Sequence, residues 1–139
     1  MNKKFLLTWA VVFVVWFCGN YVIHEVLLKQ DYSLISSLFR TPDDQQSHFP
    51  VMILAHLMFS AALVWVYARG VESRPWPQQG MRFGIALALL AIVPSYLIYF
   101  AVQPIPQSVV LKQVIYSAIL AVIAGGLAAW MYRGTPARA

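Results

Sequence analysis

Four apolar stretches, each about as long as a bilayer is thick, leave this chain few folds to choose from. They run from Phe5 to Ile23, Val51 to Ala68, Phe83 to Val102 and Val114 to Tyr132, and none contains Asp, Glu, Lys or Arg. Crossing roughly 30 Å of hydrocarbon takes about 20 apolar residues in a helix. Each stretch therefore reads as a transmembrane span. The 139 residues are 60% hydrophobic and 11% charged, which lies outside the range of soluble globular domains. The expected fold is all-α, a single membrane-embedded four-helix bundle with very little mass outside lipid.

Charge supplies the orientation. Lys3, Lys4, Arg69, Arg74, Arg82, Arg133 and Arg138 fall on one side of such a bundle, and Lys29, Arg40 and Lys112 on the other. The excess of positive charge marks the cytoplasmic face, so both termini are expected in the cytoplasm of a bacterial inner membrane. The same residues are spread singly, without a basic stripe for phosphates, and no nucleic-acid partner is expected. Lys3-Lys4 before an apolar run resembles a signal peptide, but no small-x-small cleavage pattern follows, so the run reads as an uncleaved first helix. The single Cys18 cannot form an intrachain disulfide and reads as a small packing residue.

Local signals set the boundaries. The first helix is expected over about 5–28, with Glu25 and Lys29 spaced for a surface ion pair. Ile35, Leu38 and Phe39 recur at helical spacing among Ser33, Ser36, Ser37 and Arg40, the pattern of a short amphipathic periplasmic helix over about 31–40. Thr41-Pro42-Asp43-Asp44 is a helix start, so the second helix is expected over about 42–69, bent near Pro50. A break at His48-Phe49 is the rival reading. Arg69-Gly70 should close it, with glycine in the left-handed position. The third helix is expected over about 80–102 with a kink at Pro94-Ser95, and the fourth over about 110–132.

Small residues four apart form two ridges, Gly80, Gly84 and Ala88 in the third helix and Ser117, Ala121, Gly125 and Ala129 in the fourth. Such ridges let backbones approach closely, in the same chain or in a second copy. An internal duplication is a further reading. Asn20 to His24 can be laid over Ser95 to Tyr99, and Leu63 to Gly70 over Leu127 to Gly134, which suggests two related hairpins.

Polar side chains gather in the outer half. Counting along the helices puts His24 and His56 at similar depth, with Asn20 one turn before His24 and Glu25 beside it. Tyr96, Tyr99 and Gln103 of the third helix and Gln113, Tyr116 and Ser117 of the fourth approach the same layer. If the chain binds anything, the pocket lies there and opens outward. The metal or haem alternative takes His24 and His56 as two ligands, with His48 on the outer loop as a third. Against it, neither Cys-x-x-Cys-His nor His-Glu-x-x-His spacing occurs. In the competing reading His56 hydrogen-bonds a carbonyl or a tyrosine between helices. No nucleophile, base and orienting group can be assigned together, so no catalytic residue and no enzyme activity is expected.

The chain superficially resembles the small multidrug resistance transporters in length and helix number, but their essential glutamate lies within helix 1, whereas Glu25 lies at the end of its span. In Lys3-Lys4, the segment Tyr32 to Phe39, Pro50, and Gly80 with Gly84, it resembles the small four-helix bacterial inner-membrane proteins of unknown function. That resemblance implies a fold and no activity. Two functions are therefore expected in competition. One is association through the small-residue ridges, as a homo-oligomer or an accessory subunit. The other is a binding module whose outward-facing pocket takes haem, a metal or an apolar ligand.

Overall fold

In the computed structural model, which describes residues 2–135, the chain is all-helical, with no strand among the described residues. Four of its helical paths are long and apolar enough to cross a membrane: Lys3–Leu27, Pro42–Arg69, Trp76–Val102 and Gln107–Tyr132. Arg138, one of the basic residues used for orientation, lies outside the described residues.

The first path is helix α1, Lys3–Tyr21, extended by a widened π-turn over Val22–Leu27. Asn2 caps it by accepting from the Lys4 amide. The π-turn ends where the Leu28 amide donates to the Ile23 carbonyl, five residues back, at 2.9 Å. This shift removes the four-residue register on which the Glu25–Lys29 pair depended, and among the described residues those two side chains form no ion pair.

The segment that follows departs from expectation too. The one amphipathic helix foreseen over 31–40 is two shorter pieces, α2 at Lys29–Ser33 and a 3₁₀ turn at Ser36–Leu38, separated at Ile35. Ile35 is buried, whereas Leu38 and Phe39 stay partly exposed and Leu34 is 84% exposed. The apolar residues therefore do not share the one buried face that an amphipathic helix would give them.

Helix α3, Pro42–Arg69, runs through Pro50 without a break at His48-Phe49. Thr41 precedes it with extended backbone but makes no capping hydrogen bond, so proline at the start carries the signal. Gly70 closes α3 at φ −103° and not in the left-handed region. Its carbonyl instead accepts from Gln79 Nε2 at 2.6 Å, and Arg69 stacks 3.6 Å over the Trp65 ring.

The third path starts earlier than expected, at Trp76. It consists of α4, Trp76–Leu87, a π-turn at Ala88–Ile92, and α5, Val93–Val102, with Pro94 in the first turn of α5. Proline lacks the amide that would bond four residues back, and the widened turn just before it accommodates that loss. The π-turns of the first and third paths do not fall at positions equivalent under the Asn20-to-Ser95 overlay. Helix α6, Gln107–Tyr132, begins one turn earlier than the sequence suggested.

Helix α6 is the centre of the bundle, packing against α1, α3, α4 and α5. Its small residues Ala121, Ala124, Ala128 and Ala129 are almost wholly buried. The two small-residue ridges meet each other within the chain. A Cβ on Gly84 would lie 2.5 Å from Val122 Cα, one on Gly80 would lie 2.7 Å from Gly126 Cα, and one on Gly125 would lie 2.6 Å from the Gly80 carbonyl oxygen. Only glycine permits this approach.

Elsewhere aromatic side chains fill the wider gaps. Trp16 stacks on Phe59 at 4.4 Å, and Tyr67 meets both Phe83 and Tyr132 edge-on. Trp9 Nε1 donates across from α1 to Ser60 Oγ at 3.1 Å and the Leu57 carbonyl at 3.2 Å. At one end of the bundle Lys4 Nζ donates to Thr135 Oγ1 at 2.7 Å, so the starts of α1 and the end of α6 share that end. The opposite, far end holds α2 and the 3₁₀ turn.

Candidate functional site

The far end is organised by a chain of hydrogen bonds that joins four separate elements. Tyr32 of α2 has its hydroxyl 2.6 Å from His24 Nδ1 and 3.0 Å from Gln113 Nε2. On the other side of the imidazole, Tyr96 of α5 lies 3.4 Å from His24 Nε2 and 3.2 Å from Ser117 Oγ. These donors and acceptors are mutually consistent with a neutral imidazole. Gln113 donates to Tyr32, Tyr32 donates to His24 Nδ1, His24 carries its proton on Nε2 toward Tyr96, and Tyr96 donates to Ser117. Gln113 is buried, and its Oε1 has no partner among the described residues.

Tyr32 holds this network to the far-end segment. Its ring is nearly parallel to that of His24, with centroids 5.8 Å apart, and it also packs 5.0 Å from Phe39. Burial raises the Tyr32 hydroxyl pKa to about 12, with the nearby Asp31 and Glu25 charges pushing the same way and the Gln113 hydrogen bond opposing them. Beside it, Asp31 accepts from Lys112 Nζ at 2.8 and 2.9 Å and ties α2 to α6 a second time.

Next to this network lies a groove of about 730 Å³ between the far half of α1, the 3₁₀ turn and the start of α3. Sites that hold small ligands commonly enclose roughly 300–1,000 Å³. Its floor and walls include Phe17, Tyr21, Leu38, Phe39, Phe49 and Met52, and its polar groups are Asn20, His24, Glu25, Arg40, Gln45, Gln46 and His48. An apolar trough with a polar rim at one end is the shape of a site for an amphiphile. Arg40 Nη1 binds Asp44 at 2.8 Å, and His48 Nδ1 lies 2.8 Å from the Asp44 carbonyl oxygen, so the rim is held by side chains of its own helix turn.

The residues anticipated from sequence divide into three groups. His24, Tyr96, Gln113 and Ser117 come together in the network, Ser117 as a hydroxyl partner as well as a packing residue. Asn20, Glu25 and His24 line the groove, with the Asn20 amide also donating to the Trp16 carbonyl at 2.8 Å. The others lie apart. Tyr99 and Gln103 are exposed on α5 and just beyond it, and Tyr116 borders a separate shallow apolar pocket with Cys18, Gly19 and Leu120.

His56 does not join His24. It packs edge-on against Phe17 at 5.4 Å and makes no side-chain hydrogen bond among the described residues. This departs from both readings of that residue, because both nitrogens of His24 already face tyrosine hydroxyls. Among the described residues no three His, Cys, Asp or Glu side chains are placed to hold a metal ion.

Sequence reasoning missed Tyr32, Asp31 and Lys112 as the tie between segment and bundle, and it missed the aromatic wall of the groove. The signal available was a tyrosine on the amphipathic segment beside an acid, with a lone lysine near the start of the fourth long helix. Comparisons with protein-family models, curated proteins and solved structures give no match.

Proposed function

We propose that this chain is a multi-pass protein of a bacterial inner membrane, with both termini cytoplasmic, which binds a lipid-like amphiphile in the groove at its periplasmic end and performs no chemistry on it. The observation that carries the reading is the groove itself, an apolar trough ending in polar and charged groups at the end of the bundle where the charge bias places the periplasm. Membrane embedding is supported by the large apolar side chains left exposed around the bundle, among them Leu7, Val14, Leu89, Leu90 and Ile123. Water would not tolerate an apolar surface so extensive. At this depth the most abundant apolar-tailed molecule is lipid.

The competing reading, association as an oligomer or accessory subunit, draws less support from the small-residue ridges, because these pack on each other. Gly80, Gly84 and Gly125 are filled by one another within the chain, so a second copy or another subunit would have to meet a different face.

The test is to purify the full chain in mild detergent and weigh the lipid that stays bound. Wild type is expected to retain lipid at a stoichiometric level, and Met52→Trp, which puts a large ring into the trough, is expected to lose it. Equal retention by both proteins would contradict the reading.

A further inference from the structure

We infer that the groove selects a zwitterionic phospholipid whose headgroup carries a phosphate and a primary ammonium, with the phosphate at Arg40 and the ammonium at Glu25. The inference rests on the reading of the groove as a lipid site and adds the headgroup chemistry to it.

The argument is one of charge complementarity. The groove lining carries one carboxylate, Glu25, and one guanidinium, Arg40. Glu25 pairs with no cation among the described residues, because the π-turn has taken it out of register with Lys29. Arg40 commits only Nη1, to Asp44, which leaves the rest of its planar fork for a phosphate. A purely anionic headgroup would satisfy Arg40 and set a negative charge beside Glu25. A neutral lipid such as diacylglycerol would leave Glu25 without a partner and the free nitrogens of Arg40 unused beyond its pair with Asp44, and a zwitterion engages both. Gln46 adds a neutral donor at the same rim. Along the first helical path the lining runs from Phe17 in α1 to Glu25 in the π-turn, no more than about 12 Å at 1.5 Å per residue. That spans a headgroup, a glycerol and the upper part of an acyl chain.

The experiment uses the full delipidated chain in detergent and three lipids with identical acyl chains: phosphatidylethanolamine, phosphatidylglycerol and diacylglycerol. Native mass spectrometry reads the bound fraction of each. Phosphatidylethanolamine should bind roughly three- to fivefold better than phosphatidylglycerol, the scale set by an exposed ion pair. Glu25→Gln should abolish that preference. Arg40→Gln should bring phosphatidylglycerol down to the level of diacylglycerol and weaken phosphatidylethanolamine while leaving it, through Glu25, the better bound of the two, and Arg40→Lys should restore part of the loss.

Phosphatidylglycerol binding as well as phosphatidylethanolamine, or a preference unchanged in Glu25→Gln, overturns the headgroup assignment. If all three lipids bind equally and Met52→Trp displaces them all, the headgroup inference fails and the groove stands. If Met52→Trp displaces none of them, the groove reading fails and takes the inference with it. Unfolding curves of Glu25→Gln and Arg40→Gln matching wild type establish that each variant is folded.

Discussion

The hydroxyl of Tyr32 stands 2.6 Å from Nδ1 of His24, with the two rings nearly parallel. Through that contact a short segment at the far end, with few buried side chains of its own, is fastened to the π-turn that extends α1, and through Gln113 to α6. The position of Phe39, and with it one wall of the groove, depends on that fastening.

Tyr32→Phe removes the hydroxyl and leaves His24 Nδ1 and Gln113 Nε2 without their partner. The expected cost is about 1–3 kcal/mol, the penalty for stranding buried polar groups. Thermal unfolding in detergent reads it, and an unchanged midpoint would mean that the network does not hold the segment.

The same tyrosine should be visible by pH. Its folded pKa of about 12 lies above the ordinary value of 10.0, so the folded chain keeps this proton where an unfolded chain has lost it. The resulting contribution to stability is fully present below pH 10 and falls as the pH rises toward 12. The ultraviolet absorbance of tyrosinate checks this. The difference between wild type and Tyr32→Phe should show a step near pH 12, and a step near pH 10 would contradict it.

The α4–α6 contact predicts opposite outcomes for two neighbouring glycines. Gly84→Ala forces a methyl group against the backbone of Val122, and overpacking of this kind costs about 1–3 kcal/mol. At Gly126 an added Cβ meets nothing within 4 Å, so Gly126→Ala should be neutral or should stabilise by up to about 1 kcal/mol through helix propensity. Unfolding midpoints of the two variants in the same detergent decide the matter. Equal effects would mean that the ridges do not pack as described.

How much of this was legible beforehand follows from the physics of each signal. The four long apolar helices and the two small-residue ridges were readable, because the length of an apolar run and the four-residue spacing of glycine and alanine are properties of sequence alone. The π-turns were not. Nothing in Val22 to Leu27 announces an extra residue per turn, and that single shift undid the expected Glu25–Lys29 pair. Depth counting brought His24, Tyr96, Gln113 and Ser117 into one layer correctly but could not give rotation about each helix axis. That is why layer counting groups His56 with them although it packs on Phe17, and counts Tyr99 among the candidate pocket residues although it is exposed. The groove depends on how a loop folds back over α1, and helical periodicity carries no information about that.

The Asp31–Lys112 pair joins residues 81 positions apart, with the carboxylate well shielded and the ammonium nearly half exposed. A double-mutant cycle with Asp31→Asn and Lys112→Met should give a coupling of about 0.5–1 kcal/mol. The coupling should shrink as salt is raised to 1 M. Simple additivity of the two substitutions would remove this tie from the account.

Photo-crosslinking tests the groove most directly. The chain is reconstituted in vesicles containing a phospholipid with a photoreactive group in its acyl chain, and adducts are mapped by mass spectrometry as unlabelled lipid is added. Adducts at Phe17, Phe49 and Met52 are expected to exceed those at Leu90 and Leu97, which simply face outward, and to decline as the site is competed. Labelling spread evenly over all of these positions, and indifferent to competitor, would contradict a lipid site at the far end.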